Sequence, residues 1–315
     1  MVYVREKEVN GKKYRYLTKS IRLPDGTVKK IQKRVAGKGK PKGGFSEWFG
    51  EQEKKAFGDW AAANYRGGSV FSEEQVRKAE EARVDYKKIL RKLSKPQLND
   101  LFDRFTVNFT YESNAIEGNS LTLKDVVIVL FEKTAIKGKE LREIYETRNS
   151  RDVVDLILRK KFKVCEKDII KMHKLLVRDM RIAAGYKTVP NFVLGRTVRT
   201  TQPEKVGVEM QKLLAFYNEN CGKLHPLELA AKFHGEFERI HPFEDGNGRV
   251  GRFLINVILV NNGYPPLIIR KTQRLAYFKC LTDFDNGYKE NLERFLLEKF
   301  KKTYSNFFEI YVKYL

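Results

Sequence analysis

Along the first 36 residues the apolar positions gather in three short runs, 2–5, 14–23 and 28–35, rich in Val, Tyr, Ile and Thr. Asn10-Gly11 and Pro24-Asp25-Gly26 separate them, and both are strong turn signals. The pattern predicts a three-stranded antiparallel meander. GKGKPKGG, residues 37–44, follows with the composition of a flexible basic linker.

From about residue 72 the period lengthens to that of helices. Ser72-Glu73-Glu74 opens a charged helix running to about Leu93. Leu98, Leu101, Phe102, Phe105 and Phe109 recur at helical spacing, and that helix continues through Ile116 to a stop at Gly118. Thr122, three residues before Asp125, caps a helix over 123–132. Further helices are predicted over 138–159, 166–180, 206–218, 226–240, 248–261, 270–284 and from 290 onward. Between Gly185 and Pro203 the β-branched stretch YKTVPNFVLGRTVRTTQP has no helical period and predicts a β-hairpin. The fold class is therefore mainly α with one hairpin, plus a small N-terminal antiparallel β-module. Four segments result: 1–44, the basic β-meander and linker; 45–94, a helical connector; 95–164, a helical region; and 165–315.

Composition adds boundaries to this picture. With 42% hydrophobic residues the chain can bury a sizeable core. No stretch nears the roughly 18 uncharged apolar residues of a membrane-spanning helix. MVYVREKEV is charged where a signal peptide needs an apolar run, so a cytoplasmic protein without membrane association is expected. Cys165, Cys221 and Cys280 form no CxxC pair and are read as reduced, buried thiols. The net charge is +22, and residues 1–43, with 14 Lys+Arg against 3 Asp+Glu, hold half of the excess. Such a block suits nucleic acid or an acidic protein surface, or is a solvated lysine-rich face.

The densest polar chemistry is HPFEDGNGRVGR, residues 241–252, directly before an apolar run. Gly246 and Gly248 let backbone N–H groups approach a ligand, and with Asn247 they open a helix whose N-terminus favours anions. Arg249 and Arg252 lie three apart on that helix and can clamp separate anionic groups. Asp245 is a hard oxygen ligand suited to Mg²⁺, or Mn²⁺, on phosphates. His241 is the natural general base, a role typically worth about 10²–10⁴ in rate. Together these groups describe transfer from a nucleoside triphosphate. GxxxxGK[ST], HExxH and a Rossmann GxGxxG are missing from the chain.

HPFEDGNGRVGR resembles the Fic-domain signature, H-x-F-x-[DE]-G-N-G-R-x-x-R, at every defined position. The similarity extends over roughly 95–300, making 165–315 the catalytic core and its C-terminal helices, in a Fic-type helical bundle with a β-hairpin flap. The resemblance implies a protein adenylyltransferase that moves AMP from ATP to a Ser, Thr or Tyr hydroxyl of a target protein, or of itself. It implies that His241 deprotonates that hydroxyl and that Phe243 packs inward to hold the loop. Asp245 would hold the metal ion between the α- and β-phosphates. The amides near Gly246, Asn247 and Gly248 would cradle these phosphates, with Arg249 on the β- and Arg252 on the γ-phosphate. Glycine at 248, where kinase-like relatives carry lysine, favours AMP transfer. TVPNFVLGRTV resembles the family's flap, so Phe192, Val193, Leu194 and Gly195 would align a target segment by strand addition. Tyr277, Phe278 and Asp285 would lie around the adenosine.

SNAIEGN, residues 113–119, resembles the family's inhibitory motif, [ST]-x-x-x-E-[GN], and assigns 95–164 as the region carrying it. With Ser113 and Gly118 framing the helix end, Glu117 would pair with Arg252 and exclude the γ-phosphate. The same glutamate could orient a water for removing AMP, so a de-adenylylase, or a transferase of another nucleotide or phosphocholine, stays open. A reading of another class is a nucleic-acid-binding regulator acting through residues 1–43, although no helix-turn-helix or zinc-finger pattern is present. Homodimers are common among such proteins.

Overall fold

The computed structural model describes residues 2–36, 44–191, 200–312 and 315. β1 (Val2–Val9), β2 (Lys12–Arg22) and β3 (Val28–Val35) form an antiparallel sheet in the order β1-β2-β3. Val9 pairs with Lys12 across Asn10 and Gly11, whose φ values of 50° and 71° give the left-handed pair a two-residue hairpin turn needs. Leu17, Ile21 and Ile31 face helix α1 (Phe45–Asn64), packing with Phe49 and Phe57, and with Val84 of α2 (Glu73–Lys92). The N-terminal sheet thus shares a core with the connector.

The apolar period first declares a helix at residue 72, yet α1 already occupies 45–64. Its buried residues serve two partners, which hides the stripe: Phe49, Ala56 and Phe57 join the sheet's core, and Ala61 joins the main one. A buried polar cluster ties α2 to the later helices. Glu80 accepts from Arg83 Nη1 at 3.0 Å and from the Tyr264 hydroxyl, which also meets His225 Nε2 at 3.1 Å. Burial lowers the His225 pKa to about 3, so it stays neutral and its Nδ1 accepts the Leu227 N–H at the head of α8.

The bundle follows as α3 (Lys95–Ile116), α4 (Leu123–Val127), α5 (Leu141–Leu158), α6 (Glu166–Leu176), α7 (Pro203–Asn220), α8 (Pro226–Ile240) and α9 (Asn247–Asn261). It closes with α10 (Arg274–Asp285), α11 (Lys289–Thr303) and α12 (Glu309–Val312). Thr122 and Asp125 form the expected reciprocal cap, and a π-helical turn, Ile128–Glu132, completes the 123–132 helix. α6 ends at Leu176, not 180: Val177 and Met180 remain buried, so the apolar period outlasts the helix. The 270–284 helix opens instead as a 3-10 turn, Lys271–Gln273.

α9 lies at the centre and is buried on nearly every side from Asn247 to Val260. α8 packs along it closely, because Gly251 leaves room for Glu238 and His234 where a Cβ would stand within 2.7–2.8 Å of them. The fold is mainly α with one small antiparallel sheet. The three cysteines are free thiols, but none is fully buried: Cys165 and Cys280 are half-buried, and Cys221, capping the end of α7 in a surface turn, is exposed. Among the described residues no helix is long and apolar enough to cross a membrane.

Candidate active site

The 241–252 segment is the turn between α8 and α9. His241 ends α8 in the left-handed region (φ 52°), and Gly246 (φ 81°) turns the chain into α9. Asn247 closes the loop on itself: its Oδ1 accepts the Phe243 N–H at 2.8 Å, and its Nδ2 donates to the Phe243 carbonyl at 2.8 Å. Asn191 donates to the same carbonyl at 2.8 Å. Phe243 is wholly buried and stacks on His173, centroids 3.9 Å apart and planes 1° from parallel. No side chain caps α9, so its first N–H groups point into the turn as an anion site.

His173 holds the loop from below. Its Nδ1 accepts the Gly185 N–H at 3.2 Å, which leaves Nε2 as the donor to the Asp245 carbonyl at 3.0 Å. Burial lowers its pKa to about 4, outweighing the Asp245 carbonyl hydrogen bond, and Arg249 lowers it further. Neither His173 nor Asn191 was found from sequence. Both are more than fifty positions from the Asp245 turn, and a histidine in the last turn of a helix carries no local mark.

Arg249 is 1% exposed. Its Nη1 lies 3.3 Å from Glu146 and its Nη2 3.6 Å from Asp245. Arg142 on α5 bridges both acids, contacting Asp245 and reaching Glu146 at 3.3 Å, and Asn119 donates to Glu146 at 2.9 Å. Arg142, Glu146 and Asn119 also escaped the sequence reading, because only the fold brings the start of α5 against the turn.

Arg252, three residues on, reaches α3 instead. Its Nη1 pairs with Glu117 at 2.8 Å, Nε donates to Ser113 Oγ at 3.1 Å, and Nη2 to the Ser113 carbonyl at 2.8 Å. The guanidinium is 2% exposed; burial opposes its charge, but Glu117, Tyr277 and Glu238 together raise its pKa. Glu117 caps the end of α3, and Gly118 (φ 101°) turns the chain away. Gly248 makes the pair sterically allowed, since any Cβ there would overlap Glu117 Oε1.

His241 sits at the rim with Nδ1 3.8 Å from Glu238. Phe192 to Gly195 lie outside the described residues. On either side of them, Lys187 N–H donates to Pro242 and Thr201 N–H to Ile240, so both flanks are stitched to the turn. Tyr277 is in the core, its hydroxyl 2.7 Å from His234 Nε2 and its ring 5.9 Å from the Arg252 guanidinium carbon. It offers no open face for stacking, whereas Phe278 and Asp285 are half-buried at the edge.

Among the described residues no three acids, histidines or cysteines gather as a metal cage. Asp245 is half-exposed at the turn, with Arg142 and Arg249 on its carboxylate. A single carboxylate fits a Mg²⁺ that takes its remaining ligands from phosphates and water.

Two of the three buried histidines set a pH dependence. His173 and His225 titrate near 4 and 3 in the fold against about 6.5 unfolded. As pH falls below about 6.5 the unfolded chain binds protons the fold refuses, and each site removes up to about 1.4 kcal/mol per pH unit. The melting temperature is expected to drop from about pH 7 to about pH 5; a flat profile over that window would contradict neutral buried histidines.

Residues 163–259 match the Fic/DOC family. The protein adenylyltransferase Fic of Drosophila virilis is 32% identical over 197 residues, 61% of this chain and 41% of that protein. The Drosophila erecta counterpart is also 32% identical, over 61% of this chain and 40% of its own. The chain thus spans under half the length of the curated relatives it matches. Among solved structures, a Fic domain-containing signaling protein from Bacteroides thetaiotaomicron superposes with a TM-score of 0.66 at 28% identity, over 72% of this chain and 94% of that one. A Fic family protein from Desulfovibrio desulfuricans gives 0.62 at 25% identity, over 77% and 75%.

Proposed function

Because this chain carries a Fic/DOC-family domain over residues 163–259, we propose that it is a self-inhibited protein adenylyltransferase using ATP. The observation that carries the reading is a carboxylate already seated on a buried arginine of the phosphate turn: Glu117 on Arg252, at 2.8 Å beside Gly248. Glu117 stands where an anionic phosphate would be received, and its departure leaves a buried cation in need of an anion.

In the open state ATP lays its phosphates against the N-terminus of α9, where the amides at Asn247 and Gly248 and the guanidiniums of Arg249 and Arg252 meet the negative charge. Arg249 exchanges carboxylate partners for the β-phosphate, and Arg252 exchanges Glu117 for the γ-phosphate. Asp245 would hold Mg²⁺, which neutralises phosphate charge when bound. His241 takes the proton of a target Ser, Thr or Tyr hydroxyl. The hydroxyl oxygen bonds to the α-phosphorus, the bond from that phosphorus to the bridging oxygen breaks, and pyrophosphate leaves. Asn247, His173 and Phe243 keep the turn rigid, so that base and anion site stay in register. The adenosine extends towards Phe278 and Asp285.

The position of a radioactive phosphate tests the reaction. With Glu117→Gly protein, label at the α-phosphate of ATP is expected to become protein-bound, while label at the γ-phosphate is not. Incorporation of γ-label would make the enzyme a kinase and overturn the reading.

A further inference from the structure

The N-terminal sheet sorts its charges by face. Leu17, Ile21 and Ile31 mark the side turned to α1. Glu6 and Glu8, the two acids of the strands, fall on that same side, since Glu6 pairs with Arg15 and Val4 with Leu17 across the register. The other side holds no carboxylate. There Tyr16 of β2 is flanked by Arg5 of β1 and Arg34 of β3, directly opposite it in register. Lys7 stands against Tyr14 one row on, and Lys30 against Ser20 at the far end. The tyrosines are held under cations: Arg34 lies 4.2 Å over the Tyr14 ring and Lys7 5.5 Å over Tyr16. Lys7 also donates to Gln32, which donates to the buried Thr18, so this face is braced by hydrogen bonds.

A solvated lysine-rich surface would scatter acids among its bases, as the rest of this chain does. We propose that the outer face of β1-β2-β3 is a docking surface for duplex DNA, with one edge strand on phosphates and the central tyrosines towards the groove. Charge complementarity supports it: a face of cations without an acid matches a polyanion that carries about one charge per 1.7 Å of axis. Dimensions favour the B-form. The B-DNA major groove, about 12 Å wide, admits a two-stranded β-ribbon, so β2 with one edge strand can approach it while the other edge strand stays on the phosphates. The A-form RNA major groove is too narrow for it. The enzyme would then act on targets assembled on DNA.

The test is fluorescence anisotropy of a labelled DNA duplex titrated with the full chain at several salt concentrations. The Arg5→Glu, Lys30→Glu pair is expected to weaken binding about tenfold or more and to flatten the salt slope by about 2. A control pair with the same change of net charge, Lys124→Glu with Lys161→Glu, both exposed and off the sheet, is expected to stay within about twofold. The milder Arg5→Gln, Lys30→Gln pair, with an unchanged melting temperature, separates lost contacts from lost folding and is expected to weaken binding in the same direction. Absence of DNA binding, equal losses in both reversal pairs, or tighter binding to duplex RNA or polyglutamate would overturn the proposal.

Discussion

Glu117→Gly is expected to raise AMP incorporation about 100-fold over the unaltered chain, self-modification included. The size follows from a two-state balance: 100-fold suppression needs about 2.7 kcal/mol between closed and open arrangements. One charge-assisted pair on a guanidinium that is 2% exposed is of that order. Glycine at 117 removes the carboxylate and leaves Arg252 with its two hydrogen bonds to Ser113, still pointed at the turn. The arginine is thus preorganised for a γ-phosphate. The variant without nucleotide is expected to be less stable, because it buries an unpaired cation, and added ATP should restore it. Incorporation no higher than that of the parent chain would refute inhibition by Glu117.

Within that activated background, His241→Ala is expected to lower incorporation by about 10²–10⁴ while nucleotide binding persists. The separation is expected because His241 stands at the rim of α8, whereas the phosphate contacts belong to α9. A radiolabel assay at saturating ATP, with ATP affinity measured alongside, checks it. Undiminished transfer would remove His241 as the base; a parallel loss of ATP affinity would make it a binding residue.

Much of the fold was legible because its boundaries are written in local chemistry. Asn10-Gly11 names its hairpin, Thr122 and Asp125 their cap, and Pro226 the start of α8. The turn at 241–252 was legible because its histidine, glycines and arginines are contiguous. The Glu117–Arg252 pair crosses 135 positions and was reached only through a second motif, since neither residue alone marks the other. His173, Asn191, Arg142 and Glu146 had no such guide. Each sits on an element that reaches the turn only once the bundle has packed, and their residue types are ordinary for a helix or loop. α1 was expected only as part of the helical connector 45–94, without its bounds, for a related reason: its apolar residues are split between the sheet's core and the bundle, so no single stripe shows.

The central claim is that Glu117 acts by occupying Arg252, and a double-mutant cycle reads that directly. AMP incorporation is compared in the parent chain, Glu117→Gly, Arg252→Ala and the double variant. If the two side chains form one switch, the gain of about 100-fold from removing Glu117 should vanish when Arg252 is absent, leaving Arg252→Ala and the double variant equally low. A full gain from Glu117→Gly in the Arg252→Ala background would contradict the claim.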